Sequence, residues 1–378
     1  MAGKVKKSVC NCIEFFCGVG GLSLGASRAG LKIVAGIDND QRALQAHANN
    51  FPNALHLNSD VGALKVKSLL KSIHLEQDEV EAIIGGPPCQ GFSRMGHRNL
   101  DDPRNSLFSH FLRLVSGIHP RFFLLENVPG ILDKCFDRIR ESAFIHVRDY
   151  EILGPVILKA SDYGAATTRA RVFYIGYQKK YYKSIYKDDF LPDNSLVSSI
   201  NVKEALKGLK KTINPSWKTE KDGWRKITHK PKGFFWDKIF EEFPSGVGNS
   251  AAIEALLKNN LVSGCLGTDH GAGIIKRYAN LMEGEVDKCS RAVRLRRKGL
   301  CPTLRAGTGP DRGSYQAVRP IHPTEPRVIT PREAARLQGF PDWFQFDKTK
   351  WHSFRQIGNS VSPILAEAVV GTILSKRK

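Results

Sequence analysis

The sequence predicts an α/β fold built on a doubly wound, mostly parallel sheet. Through the first half of the chain, short apolar runs alternate with amphipathic stretches, the rhythm of βαβ units. The first run leads directly into Gly18-Val19-Gly20-Gly21, a strand-to-helix turn. Another run, Val80 to Ile84, breaks at Gly85-Gly86-Pro87-Pro88, so a buried strand ends in a rigid turn. In such sheets, ligands gather at the carboxyl ends of the strands.

Each element follows from its own pattern. Cys12 to Cys17 reads as strand one, and the glycine turn opens a helix that closes at Gly30. Lys32 to Ile37 is strand two, terminated by Asp38. Val80 to Ile84 is a parallel strand buried on both faces. Leu107, Phe108, Phe111, Leu112 and Val115 mark one face of a helix that Gly117 is expected to stop. Arg121 to Val128 is a strand carrying Glu126 near its end, and Val172 to Tyr177 is a further strand. After Tyr177 the rhythm is lost. Residues 178 to 300 are lysine-rich and mix tyrosines (Tyr181, Tyr182, Tyr186) with basic residues. Between 201 and 300 there are 20 Lys and Arg against 11 Asp and Glu, which predicts a second, smaller domain facing a phosphate backbone. A solvated, variable surface is the alternative. At Thr330-Pro331-Arg332-Glu333, Thr330 is an N-cap, Pro331 occupies the first helical position and Glu333 closes a capping box, so Glu333 is structural. A last helix follows Ser362-Pro363, and Lys376-Arg377-Lys378 suits its dipole.

Composition narrows the partners. The 378 residues carry 57 Lys and Arg against 37 Asp and Glu, a net charge of +20 that attracts a polyanion, most commonly nucleic acid. No apolar segment approaches the roughly 20 residues that span a bilayer, so no membrane is expected. The basic start, Met1 to Val9, leads into an apolar stretch interrupted by Glu14, which argues against a signal peptide. Eight cysteines (10, 12, 17, 89, 135, 265, 289 and 301) are scattered without a CxxC pair, consistent with a reducing cytoplasm. Cys10 and Cys12 lack the partners of a zinc site, so no metal is expected.

Three polar groups stand near strand ends that share one sheet edge: Asp38, Cys89 and Glu126. The prolines present Cys89 in one geometry, which suits a nucleophile, although an inert buried thiol is the alternative. A carboxylate inside Phe122 to Val128 is costly without a task or a hydrogen-bonded structural partner. Asp38, twenty residues past Gly18, is placed to take both hydroxyls of a ribose, or the glycines form only a tight turn. Ser23 breaks the GxGxxG dinucleotide fingerprint, pointing away from NAD and towards a nucleoside cofactor such as S-adenosylmethionine. Carbon 5 of a pyrimidine is a poor nucleophile. A thiolate adding to carbon 6 makes the ring a carbanion equivalent, and a carboxyl group at N3 stabilises the charge. Cys89 with Glu126 meets that demand.

These motifs resemble the cytosine-5 DNA methyltransferase family of bacterial and phage type over most of the chain. Phe16-Cys17-Gly18-Val19-Gly20-Gly21 resembles its cofactor loop, with Asp38 in the ribose-binding position. Asp60-Val61 resembles the element whose acid lies near the adenine amine. Pro87-Pro88-Cys89-Gln90 is similar to its catalytic loop, and Glu126-Asn127-Val128 to its ENV motif. Arg169-Ala170-Arg171 resembles its RxR pair, whose second arginine meets the oxygen at carbon 2 of the base. Gln356-Ile357-Gly358-Asn359-Ser360-Val361 resembles the motif that closes the cofactor pocket. There are departures: Thr167-Thr168 stand where Gln usually precedes the RxR pair, Asp38 replaces a commoner Glu, and Asn39 takes a place often held by a bulky stacking residue.

The resemblance implies a Rossmann-like, S-adenosylmethionine-dependent enzyme acting on a flipped cytosine in duplex DNA through a covalent bond between Cys89 and carbon 6. Expected catalytic residues are Cys89, Glu126, Arg169 and Arg171. Expected cofactor contacts are Phe16, Gly18, Gly20, Gly21, Asp38, Asn39, Asp60, Val61, Pro88, Asn359 and Ser360. Residues 92 to 106 read as a loop closing over DNA, with Gln90, Ser93, Arg94 and Arg104 facing it and Arg305 placed for backbone contact. A static surface loop is the alternative. The expected division is a catalytic and cofactor-binding domain at 1–190, a target-recognition domain at 191–349, and a segment at 350–378 returning to the first. A monomer is expected, with a cognate restriction endonuclease acting separately. Among rival readings, an RNA (tRNA) cytosine-5 methyltransferase would carry a Cys-Phe-Thr signature not found here. A catalytically inert DNA-binding relative would be expected to lose Cys89, Glu126 or Arg171. An NAD oxidoreductase explains neither the PPC turn nor the charge.

Overall fold

The computed structural model describes residues 10–88, 106–193, 195, 197–216, 223–307 and 319–378. Seven strands form the central sheet: β1 (Asn11–Phe15), β2 (Lys32–Asp38), β3 (Leu55–Asn58), β4 (Val80–Gly85), β5 (Phe122–Asn127), β6 (Glu151–Lys159) and β7 (Ala170–Tyr177). Their order is β3-β2-β1-β4-β5-β7-β6. The first five run parallel, whereas β7 lies antiparallel between β5 and β6. This is the doubly wound sheet expected, with an antiparallel margin that brings the start of β7 to the edge where β1, β2, β4 and β5 end.

Helices cover both faces. In the first half these are α1 (Gly21–Arg28), α2 (Gln41–Asn50), α3 (Val66–Ser72), α4 (Ser106–Ile118) and α5 (Asp137–Phe144). Successive strand residues point to opposite sides. Ala82 and Ile84 of β4, with Phe122 and Leu124 of β5, join the layer under α1 and α2. Val80 and Ile83, with Phe123 and Leu125, join the layer under α4, where Phe108, Phe111, Leu112 and Val115 are fully buried. Gly117 does not stop α4, which runs on to Ile118 before His119 takes a positive φ of 60°. A Cβ at position 117 would lie 2.7 Å from Val66 Cγ2, so the glycine serves the contact with α3.

The second half contributes α6 (Val202–Ala205), a small β8–β9 pair (Arg225–Lys226 and Leu261–Val262), α7 (Phe234–Phe240), α8 (Ser250–Asn259) and α9 (Ala272–Asn280). Then come α10 (Pro331–Leu337), α11 (Lys350–Asn359) and α12 (Pro363–Ser375). Trp236, Ile239, Phe240 and Trp343 belong to the same hydrophobic cluster as α1 and α12. The capping box of α10 is present as expected: Thr330 accepts from the Glu333 N–H, and the Glu333 carboxylate accepts from the Thr330 N–H. Glu333 also pairs with Arg327 at 2.8 Å, which suits a structural acid. The stretch Lys350–Ser375 is long and apolar enough to cross a membrane by length and composition, which the sequence reading did not anticipate. It is two helices, α11 and α12, separated near Ser360 and mostly buried within the fold. The three cations after α12 find partners beyond its dipole: Lys376 meets Asp189 at 2.6 Å, Arg377 meets buried Glu81 at 3.1 Å, and Lys378 Nζ donates to the Lys179 carbonyl.

Candidate active site

Five strands deliver side chains to one sheet edge, and a cleft of about 330 Å³ opens there. That volume lies within the roughly 300–1,000 Å³ of small-molecule sites. Beyond β1 the chain turns sharply, with Phe16, Gly18 and Gly20 all at positive φ (57°, 55° and 99°). Gly20 needs its hydrogen twice over, because a Cβ there would also lie 2.4 Å from Phe51 Cε2. The turn leaves backbone N–H groups at the start of α1, and the Gly18 N–H donates to Asp38 Oδ2 at 2.8 Å. Asp38 Oδ1 accepts from the Asp40 N–H at 2.8 Å. Burial nevertheless holds the Asp38 carboxyl above its ordinary range, offset in part by those N–H donors. Asp38 lines the cleft, and no heavy atom lies within 4 Å of where a Gly18 Cβ would stand. A ribose diol against Asp38, with a nucleoside passing Gly18, fits this donor set.

Across the cleft, Glu126 ends β5 and Arg171 begins β7. Their facing positions follow from antiparallel pairing, in which Glu126 opposes Phe173. Arg171 Nε stands 2.5 Å from Glu126 Oε1, both residues being under 10% exposed. Arg171 also donates to the Ala170 carbonyl at 2.7 Å, which orients the guanidinium. The Pro87-Pro88 turn packs on this pair. Asn127 Nδ2 donates to the Pro87 carbonyl at 3.2 Å, and a Cβ at Gly86 would lie 2.5 Å from Glu126 Oε2. The glycine admits the carboxylate beside the turn from which Cys89 departs.

Of the expected site residues, Phe16, Gly18, Gly21, Asp38, Asn39, Pro88, Glu126, Arg171, Asn359 and Ser360 line this one cleft. Others stand behind or beside it. Arg169 is 1% exposed and donates to the Leu304 and Gly358 carbonyls at 3.1 and 2.9 Å. It therefore ties the segment bearing Arg305 to the segment bearing Asn359. Asp60 is exposed and caps the turn Val61–Ala63 through the Gly62 N–H, while Val61 is buried and its carbonyl accepts from Arg113. Arg305 is exposed, and its carbonyl accepts from Arg319. Cys89, Gln90, Ser93, Arg94 and Arg104 lie outside the described residues. Sequence reasoning missed Glu14, Asp40 and Arg355, which also line the cleft. Glu14 carried the same signal as Glu126, an acid inside an apolar strand. Asp40 and Arg355 approach to 3.8 Å from distant parts of the chain, a proximity that no local pattern encodes.

Comparison with known proteins identifies the family. The family model for C-5 cytosine-specific DNA methylases matches residues 10–375. The chain is 37% identical over 372 residues to the type II methyltransferase M.XorII of Xanthomonas oryzae pv. oryzae, covering 96% of this chain and 84% of that one. Similarity to the type II methyltransferase M.DdeI of Desulfomicrobium norvegicum is 29% over 399 residues, covering 96% and 88%. A crystal structure assigned to a DNA modification methyltransferase encoded within an E. coli prophage superposes with a TM-score of 0.87 at 48% identity, covering 97% and 99%. The S. pombe Dnmt2 methyltransferase, at 16% identity, TM-score 0.62 and coverage of 97% and 98%, is alike in fold. The chain belongs to the C-5 cytosine-specific DNA methylases and is an S-adenosylmethionine-dependent DNA cytosine methyltransferase.

Proposed function

We propose that this enzyme methylates carbon 5 of a cytosine swung out of a specific duplex DNA sequence, and that it serves as the modification partner of a restriction endonuclease acting separately. The observation that carries the chemistry is the Glu126–Arg171 pair beside the Pro87-Pro88 turn, in one cleft with Asp38. Cys89, the residue after that turn, attacks carbon 6 as a thiolate. Glu126 hydrogen-bonds N3, delivering a proton as negative charge develops there and recovering it when the sulfur leaves, while Arg171 holds the oxygen at carbon 2. When bound, S-adenosylmethionine supplies an electrophilic methyl group for carbon 5. The carbon 5 proton then leaves to a base, and the sulfur departs from carbon 6 with its bonding pair returned. Asp38 holds the ribose, the Gly18 turn passes the nucleoside, and Asn359 and Ser360 close the far side. Arg169 acts as a positioning residue behind Arg171.

The basic region 191–349 reads the target from the major groove, and Arg305 contacts the phosphate backbone. Extruding the base costs a few kcal/mol, which DNA contacts from residues 92–106 offset. The type II names of the relatives support the restriction-modification setting, and a monomer in the cytoplasm fits a duplex substrate. The deciding experiment compares Cys89→Ser with the wild type on duplex DNA and on tRNA, using labelled cofactor. Labelled duplex, unlabelled tRNA, an inactive serine variant that still binds DNA, and a covalent adduct with 5-fluorocytosine DNA only when Cys89 is intact are the expected results. A serine variant of near-normal rate, or label found on tRNA instead, would overturn the proposal.

A further inference from the structure

Beneath the cleft, a chain of buried polar side chains runs from its floor to the far margin of the sheet. Glu14, next to the end of β1, is 2% exposed and lines the cleft. Its Oε2 is hydrogen-bonded to Ser23 Oγ of α1. Ser23 Oγ lies 3.0 Å from His47 Nε2 of α2, and His47 Nδ1 lies 2.9 Å from His56 Nε2 of β3. Ser23 and His47 are both 0% exposed. His56 is half-buried, lines a shallow surface groove with Ser59, Lys65 and Ser68, and bonds the Ala54 backbone. None of these four has a part in the methyl-transfer chemistry above. Packing fixes the central ring, since His47 stacks on Phe51 with centroids 4.4 Å apart.

The row admits two complete hydrogen-bonding patterns that differ by a single proton. In one, neutral Glu14 donates to Ser23 Oγ, Ser23 donates to His47 Nε2, His47 Nδ1–H donates to His56 Nε2, and His56 Nδ1–H faces the Ala54 carbonyl. In the other, every proton has moved one place outward. The Glu14 proton is on Ser23, the Ser23 proton on His47 Nε2, the His47 Nδ1 proton on His56 Nε2, and the His56 Nδ1 proton has gone to solvent. Glu14 is then a carboxylate accepting from Ser23, the buried Ser23 and His47 keep both partners, and only half-buried His56 gives up its donation to the Ala54 carbonyl, at the end of the row that water reaches. A lone buried acid would leave an unpaired group in one of its two states; this row does not.

We propose that Glu14, Ser23, His47 and His56 form a proton relay through which the cleft expels one proton as a cationic cofactor binds. This rests on the reading of the cleft as the S-adenosylmethionine site. The cofactor brings a sulfonium and an ammonium group towards a floor already holding acids. Glu14 faces Asp38 from β2, Glu126 from β5 (paired with Arg171), His47 from α2, the thiol of Cys12 on its own strand and that of Cys17 in the turn just beyond it. Asp40 and Arg355 stand at the mouth. Burial first, and the charges of Asp38 and Glu126 with it, push the Glu14 carboxyl well up against the Ser23 hydrogen bond, which favours the protonated form in the empty cleft. Burial pushes His47 well down, so it conducts as a neutral ring and does not store charge. A bound cation reverses the preference at Glu14, and the relay lets the proton leave behind the ligand that blocks the mouth.

Two readouts on the full chain test this. Calorimetric titration of S-adenosylmethionine near neutral pH, in buffers of different ionisation enthalpy, counts protons. The wild type should release about one, and Glu14→Gln none. Nitrogen-15 spectra of the histidine rings report tautomers. His47 should switch from Nδ1–H to Nε2–H on binding in the wild type, but not in Glu14→Gln or in Ser23→Ala, which cuts the row. Wild-type binding without proton release, or with an unchanged His47 tautomer, overturns the relay while leaving the cofactor reading intact. Absence of any binding overturns both.

Discussion

At the scale of single residues, the Glu126–Arg171 pair joins two demands. It is a nearly dry ion pair, and in the proposed reaction it meets the charge that develops on the base. Glu126→Gln keeps the shape and removes the charge, and should lower kcat by about 10²–10³-fold, the usual loss for one preorganised contact. Steady-state kinetics with unchanged cofactor KM would separate this from a folding defect. A second residue, His322, sets an acid limit on stability. Its Nδ1 accepts the Thr324 and Glu325 N–H groups at 3.2 and 3.0 Å, so protonation there forfeits both. Burial is the main cause that pushes the ring down to about 4. An unfolded imidazole titrates near 6.5, so between those values the unfolded chain binds more protons, and stability falls as pH drops through the window. His322→Asn retains an acceptor that does not titrate. Its melting temperature should fall less than the wild type's between about pH 7 and about pH 5; equal losses would remove His322 from the account.

Among the elements, α10 depends on its start. Thr330→Ala deletes the hydroxyl that accepts from the Glu333 N–H, while the backbone N–H at position 330 still donates to the Glu333 carboxylate. A loss of about 1 kcal/mol is expected from the urea midpoint. This helix was readable from Thr330-Pro331-Arg332-Glu333 alone because capping is local chemistry. The strands β1, β2, β4 and β5 were readable for a similar reason: their apolar runs stop at a glycine turn or an acid. By contrast, β6 was not singled out. It is an edge strand, largely exposed at Glu151, Ile152 and Ile157, and its pairing register shifts between Leu153 and Val156. The direction of β7 was equally hidden, since an apolar run looks the same read either way. The site divides along the same line. Asp38, Glu126 and Pro88 ended recognisable strands, whereas the partnership of Glu14 with His47 and the clamp of Arg169 on Leu304 and Gly358 arise only after folding.

For the molecule as a whole, a charge of +20 means that counterion release dominates encounter with DNA. Affinity should fall with a log–log slope of about −0.9 per phosphate contacted, and Arg305→Gln should reduce that slope by about one on cognate and non-cognate duplexes alike. Filter binding across a salt series measures both. A slope unchanged by the substitution would place Arg305 off the backbone.

The seam between α1 and α12 has a bearing on how the enzyme is made. Positions 21 and 25 accept no side chain, because a Cβ would lie 2.5 Å from the Val361 carbonyl oxygen or 2.4 Å from Ala366 Cβ. One wall of the cleft is therefore supplied by residues translated more than three hundred codons after the turn they lean upon. A polypeptide still emerging from the ribosome has its glycine turn but no lid for it. A product truncated before these residues lacks that wall, and two fragments parted in the region between these helices should regain activity only when mixed.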